Sequence, residues 1–166
     1  MGQIIRLVYA SKVNFPENTG AGVELQVGRI LRESRRRNDA DGIGGVLYCG
    51  NGYFFQCLEG PSEAVANTYS RIQSDRRHSD VKLLLHEPVE TLLFKNWSMK
   101  FVSAVAAIDA FVKQQGIGEF NPYRFDENSV KQLLSFLQAG RDQKLPVPSR
   151  WWQRLFGLSR RANTTA

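Results

Sequence analysis

The pair Asn51-Gly52 constrains the fold of this chain most. It stands between two apolar runs, Val46-Leu47-Tyr48-Cys49 and Tyr53-Phe54-Phe55-Gln56-Cys57-Leu58, with Gly50 completing the turn. Asn-Gly accepts the positive φ values of a tight hairpin turn whose twist suits paired strands. The two runs therefore predict an antiparallel hairpin, and the other elements must be arranged around it.

Upstream, Ile4 to Ala10 is short and rich in β-branched residues, which predicts a strand. Asn14 to Gly22 holds Pro16, Asn18, Gly20 and Gly22 and reads as a loop. Val23, Val27, Ile30, Leu31 and Ser34 fall on one helical face, which predicts a helix over about Val23 to Arg37. Gly28 weakens that helix by about 1 kcal/mol relative to Ala. Gly42, Gly44 and Gly45 then break the chain before the hairpin.

Downstream, Glu59-Gly60-Pro61-Ser62-Glu63 reads as a helix start, with Val65, Tyr69 and Ile72 as the buried stripe. Val81 to His86 predicts a strand closed by Glu87-Pro88, and Trp97 to Val102 predicts one more. The order β-α-β-β-α-β-β fits an α+β fold, a split βαβ layout with two helices on one face of a sheet. Beyond Val102 the pattern is helical. Val105, Ile108 and Val112 mark one helix. Val130, Leu133, Leu134 and Leu137 mark another, starting at Asp126, and the two are expected to cap the domain.

With 166 residues, 42% hydrophobic and 23% charged, the chain has the length and composition of one globular domain. No apolar run reaches the roughly 18 residues of a membrane span. The start, MGQIIRLVYASK, lacks the apolar h-region of a signal peptide, and Arg6 breaks a myristoylation pattern at Gly2. Cys49 and Cys57 cannot build a disulfide framework. A cytoplasmic location is expected.

The formal charge of +6 points by default to a polyanion partner. It is unevenly placed. Residues 141–166 hold six basic residues and one acid, whereas the first 140 hold 16 basic and 15 acidic residues. The body keeps two basic clusters, Arg35-Arg36-Arg37 and Arg76-Arg77-His78. The segment from Trp151 to Leu158 sets aromatic and apolar residues beside arginines. Such a segment suits a membrane surface or a partner groove, or folds back on its own body.

Metal-ligand spacing, GxSxG and P-loop patterns do not occur. Gly42-Ile43-Gly44-Gly45 precedes a strand, so no helix N-terminus offers its amides to a phosphate, and it reads as a helix-to-strand turn. Gln56 is unusual. On the period of a strand it shares a face with Phe54 and Leu58, and an amide with four hydrogen-bonding sites on a buried face needs partners. By composition alone it reads as a Gln bonded to backbone. Tyr9 alone reads as a half-buried sheet tyrosine.

Together, however, Tyr9-Ala10-Ser11, Asn38, Gly42-Ile43-x-Gly45, Phe54-x-Gln56-x-Leu58-Glu59-Gly60-Pro61, Asp75-x-Arg77-His78 and Trp97-Ser98-Met99 resemble the BLUF family of flavin-binding blue-light sensors. The resemblance covers about residues 3–102. It implies a ferredoxin-like βαββαββ sheet, with FAD (or FMN) held between two helices on one face. Residues 1–102 would be the flavin unit, 103–140 a helical cap and 141–166 a basic Trp- and Arg-containing tail. The implied flavin contacts are Tyr9, Ile30, Ser34, Arg37, Asn38, Gln56, Ile72, Asp75, Arg77 and His78. Asn38 is expected to end the first helix and meet the flavin's polar edge.

The implied mechanism is a photochemical switch rather than catalysis. Tyr9 gives an electron and a proton to the excited flavin, and recombination leaves the Gln56 amide rotated or tautomerised. Ser11 lies beside the switch, and Trp97 and Met99 are candidates for exchanging places near Gln56. The signal would pass through the cap to an unidentified downstream protein, with a homo-oligomer or a tail contact over residues 149–166 as further expectations. The sequence departs from the family at Gly44, where most members carry Thr, in its longer loop from Asn14 to Gly22, and at Gly28. The competing readings are a ferredoxin-like nucleic-acid-binding module and a small acylphosphatase-type enzyme. The first lacks the aromatic K/R-G-F/Y-type motif and the second an Arg-plus-Asn phosphate cradle, so no nucleic acid is expected.

Overall fold

The computed structural model describes residues 2–15, 23–102 and 105–139. The elements are β1 (Ile4–Val13), α1 (Val23–Asp41), β2 (Gly44–Gly50), β3 (Tyr53–Pro61), α2 (Ser62–Gln73), β4 (His78–Pro88), β5 (Lys100–Val102), α3 (Val105–Gln114), a 3-10 turn (Pro122–Arg124) and α4 (Glu127–Ala139). The five strands lie in the order β4-β1-β3-β2-β5. β1 pairs antiparallel with β3 and β4, β2 antiparallel with β3, and β5 parallel to β2. This is the ferredoxin-like α+β arrangement, with β3 at the centre between β1 and its hairpin partner β2.

The turn between β2 and β3 takes the conformation that Asn-Gly favours, with φ of 49° at Asn51 and 78° at Gly52. Period-2 alternation then divides the sheet. Leu7, Tyr9, Leu47, Phe54 and Leu58 face α1 and α2, joined by Val27, Ile30 and Val65. Val8, Tyr48, Phe55 and Cys57 face the other way, against Ile108, Val112, Val130, Leu133 and Leu134 of α3 and α4. The two C-terminal helices thus cap the face that α1 and α2 leave open. Asp126 caps α4, its side chain accepting the Ser129 N–H at 2.7 Å.

Several boundaries differ from the sequence reading. α1 continues to Asp41, so Asn38 lies inside the helix instead of ending it. Gly42 takes the left-handed conformation at φ 68°, and the Ile43 N–H closes on the Asn38 carbonyl at 2.8 Å. Glu59, Gly60 and Pro61 belong to β3, and α2 starts only at Ser62. β5 begins at Lys100, because Trp97 closes a turn on Phe94, its N–H reaching the Phe94 carbonyl at 3.0 Å. The tail from residue 141 and the central part of the Asn14–Gly22 loop lie outside the described residues.

Candidate functional site

A cleft open at its mouth lies between α1 and α2 over the sheet. Ile30, Ser34, Arg37 and Asn38 reach it from α1. Gln56 forms part of its floor. Ile72, Asp75, Arg77 and His78 reach it from α2 and the turn into β4. Helical spacing explains the α1 set, because positions 30, 34, 37 and 38 recur on one face.

Behind the floor, β1 and β3 place Tyr9 directly opposite Gln56, and Tyr9 itself is not among the residues lining the cleft. The Tyr9 hydroxyl donates to Gln56 Oε1, and Gln56 Nε2 donates to the Met99 sulfur at 3.3 Å. All three residues are buried. Burial raises the Tyr9 pKa well above the ordinary tyrosine value, and Tyr69 and Asp75 add to the shift, so the phenol stays protonated. The Ser11 hydroxyl and His78 Nδ1 share a hydrogen bond of 2.8 Å. His78 lies against Phe54, with ring centroids 4.7 Å apart. Burial lowers its pKa to about 4, so the ring is neutral at pH 7 and offers a hydrogen bond rather than a charge.

Arg77 is heavily paired. Its guanidinium bonds both Asp75 oxygens, the shortest contact at 2.6 Å, and reaches Glu33 of α1 at 2.8 Å. It therefore staples the two walls of the cleft, with its charge offset by two carboxylates. Arg37 and Arg71 are exposed. Arg71 donates to Thr68 Oγ1 at 2.7 Å and to Asp41 at 3.3 Å. With Arg77 paired to Asp75 and Glu33, these two arginines are the other cleft-lining cations that can meet a phosphate.

The structure does not bring Trp97 to Gln56. Its ring packs with the α3–α4 cluster, stacked on Phe94 at 5.8 Å with the Lys100 ammonium 3.8 Å above it. Met99 occupies the position beside Gln56. Sequence reasoning missed Glu33, Thr68 and Arg71 on the cleft wall. Thr68 was accessible to it, since it continues the Val65–Ile72 stripe at helical spacing.

The cleft can hold a flat heteroaromatic ring. Ile30 and Ile72 supply apolar walls on facing helices. Asn38 and Gln56 are 1% and 3% exposed and keep hydrogen-bonding capacity for a ligand. Asn38 Nδ2 donates to the Ser98 carbonyl at 2.7 Å, leaving Oδ1 with no partner among the described residues. Gln56 spends one acceptor site on Tyr9 and one donor on Met99. Buried amides seldom keep unused sites, and a ring edge with alternating donors and acceptors would satisfy them.

The family model described as sensors of blue light using FAD matches residues 4–100. The chain belongs to the BLUF family. It is 36% identical over 94 residues to the photoactivated adenylate cyclase subunit beta of Euglena gracilis, covering 56% of this chain but 10% of that one. The photo-activated state of BlsA superposes with a TM-score of 0.75 at 37% identity, over 86% of this chain and 99% of that chain. BlrB in its dark state gives 0.70 at 27% identity, over 84% and 98%. The chain thus spans about a tenth of the first curated relatives and nearly the whole of these two structures. Residues 4–100 are thus a BLUF domain, of the family described as sensing blue light with FAD. The comparisons do not support a nucleic-acid-binding module. Such a sheet needs open aromatics, and Phe54 and Phe55 are both buried under helices.

Proposed function

We propose that FAD sits in the α1–α2 cleft and that the Tyr9–Gln56–Met99 chain is the light-driven switch. The single observation behind this is the Gln56 amide, buried in the cleft wall and bridging a phenol and a thioether. When bound, the flavin supplies blue-light absorption and a transient acceptor for one electron and one proton. Tyr9 is the donor in reach of the floor, and its hydroxyl proton points at Gln56 Oε1. If the amide turns, Nε2 faces the Tyr9 oxygen and donates to it, while Oε1 faces Met99. Sulfur cannot donate back, so the Gln56–Met99 contact is lost and the oxygen becomes available to the cleft. The two amide ends differ little in shape but oppositely in hydrogen-bonding sense, which makes the turned state metastable.

Ile30 and Ile72 would hold the ring, Asn38 and Gln56 its polar edge, and Arg37 and Arg71 the phosphates. BlrP1 of Klebsiella pneumoniae, solved with FMN and cyclic diGMP, superposes with a TM-score of 0.58 at 27% identity over 83% of this chain. FAD is favoured here because the family is described as using it, and Arg37 and Arg71 both line the cleft beside the paired Arg77. Residues 1–102 form the flavin unit on this reading, and residues 103–140 the cap that passes the signal to a separate effector protein. We place the protein in the cytoplasm. Among the described residues both cysteines are free thiols, which suits a reducing compartment, and no helix is long and apolar enough to cross a membrane.

The test is optical. Purified protein should be yellow, release FAD on denaturation, and show a small reversible red shift under blue light. Protein that stays colourless after FAD is added, or that binds flavin without any shift, overturns the proposal. Release of FMN alone overturns the FAD assignment.

A further inference from the structure

We propose that Arg35 is a positioning residue for the switch, holding the Met99 backbone so that the Met99 sulfur meets Gln56. The inference deepens the reading above and rests on it. Arg35 lies on α1, and its Nε donates to the Met99 carbonyl at 2.9 Å. It is not among the residues lining the cleft.

Three successive carbonyls ahead of β5 are held in the same way. The Trp97 carbonyl accepts the Gly45 N–H at 2.8 Å, the Ser98 carbonyl accepts Asn38 Nδ2 at 2.7 Å, and the Met99 carbonyl accepts Arg35 Nε. Arg35 and Asn38 are three residues apart on one helix and so address neighbouring carbonyls. The ladder between β2 and β5 begins only at Val46 and Lys100. Up to Met99, therefore, the segment is fixed to the fold by donors from α1 and from the start of β2, not by strand pairing.

Room for Met99 is made on the other side. A Cβ at residue 45 would stand 2.3 Å from the Cys57 carbonyl oxygen and 3.1 Å from the Met99 methyl, so the glycine that the close approach of β3 requires also leaves the thioether its place on the sheet. The Met99 side chain is thereby located from two directions, by the space above Gly45 and by the guanidinium behind its own carbonyl. A hydrogen bond from a charged donor is stronger than a neutral one. Removing it weakens the dark arrangement, in which Nε2 of Gln56 faces the sulfur, relative to the turned one. The return from the lit state should then slow.

The chain contains two methionines, Met1 and Met99. Labelling methionine with carbon-13 at the carbonyl therefore gives an infrared probe of Met99 inside the fold. Holoprotein is compared as wild type, Arg35→Ala, Arg35→Gln and Arg35→Lys. The Ala and Gln variants, which lack a cationic donor, should keep flavin, the dark absorption band and the size of the red shift. Their labelled carbonyl band in the dark should move to higher frequency, and their dark recovery should slow by about tenfold, the weight of one charged hydrogen bond. Arg35→Lys, which keeps a cationic donor, should recover within about threefold of wild type on the same argument. Recovery within twofold of wild type together with an unmoved label band in either Ala or Gln overturns the role of Arg35. A wild-type protein without a red shift overturns the underlying photoreceptor reading, so the two failures are distinguishable.

Discussion

Tyr9 and Gln56 meet because β1 and β3 pair with these two residues directly opposite, on the face that looks towards α1 and α2. Neither has an isosteric substitute with the same chemistry. Gln56→Leu keeps approximate size but loses both amide ends, so flavin should stay bound and the light-induced shift should vanish. Tyr9→Phe removes the hydroxyl that donates to Gln56 and should block the same shift. Absorption difference spectra check both, and a normal reversible shift in either variant contradicts the assigned roles. His78 makes a different kind of prediction. Its folded pKa of about 4 lies below the free value of 6.5, burial being the main cause. As pH falls from about 6.5 to about 4, the unfolded chain takes up a proton that the native ring refuses. The His78 share of stability should therefore fall through that window by about 3 kcal/mol and level off below it. Asp75 and Glu87, whose pKa values are lowered, begin to lose their contributions as pH falls through their ordinary values of 3.8 and 4.5, at the foot of that window and below it. Urea midpoints across pH 4–7 should show the slope in wild type and lose most of it in His78→Gln. Much of this chemistry was legible as residue identity and strand period. The neutrality of His78 was not, because it depends on Phe54 and Tyr9 closing over the ring from other strands.

At the scale of elements, two glycines that both depart from the family pattern behave oppositely. Gly28 sits on an exposed turn of α1, and a Cβ there meets nothing within 4 Å. Gly28→Ala should raise stability by about 1 kcal/mol through helix propensity alone, read from the denaturant midpoint. Gly44 starts β2, and a Cβ there would stand 2.6 Å from the Phe94 carbonyl oxygen. The β4–β5 connection approaches β2 closely because residue 44 has no side chain. Gly44→Thr, the family-like substitution, should push that connection outward and destabilise the protein by about 1–3 kcal/mol, as overpacking does. The same midpoint measurement separates the two. The hairpin, both α1 and α2, and the capped start of α4 were readable from local signals. The end of α1 was misplaced because a left-handed Asn38 and a left-handed Gly42 are both acceptable to local rules, and only the closing Ile43–Asn38 bond decides between them. The short β5 was overextended because Trp97 is apolar enough to pass for a strand residue while its backbone turns on Phe94.

Across the whole molecule, a charge ladder joins the layers. Arg6 on β1 stands opposite Glu59 on β3 and Glu87 on β4. Its Nε donates to Glu59 at 2.6 Å and its Nη1 to Glu87 at 3.0 Å. Glu59, fully buried, spends its second oxygen on the Phe94 N–H at 2.9 Å, and Lys131 of α4 closes on Glu87 at 3.0 Å. The ladder therefore connects the turn that precedes the switch segment to the cap. Its two ends should differ in weight. Arg6→Met leaves the buried Glu59 carboxylate without its partly buried cation and should cost about 3 kcal/mol. Lys131→Met breaks exposed pairs to Glu87 and Glu127, with the lysine 45% exposed, and should cost far less. Adding Glu59→Leu to Arg6→Met should recover part of the loss, because an apolar pair replaces a stranded charge. Recovery should stay incomplete, since the Phe94 N–H then loses its acceptor. Denaturant midpoints of the three variants give the comparison. If Arg6→Met proves as mild as Lys131→Met, the sheet and its cap are held by apolar packing alone, and the ladder is not the link between them.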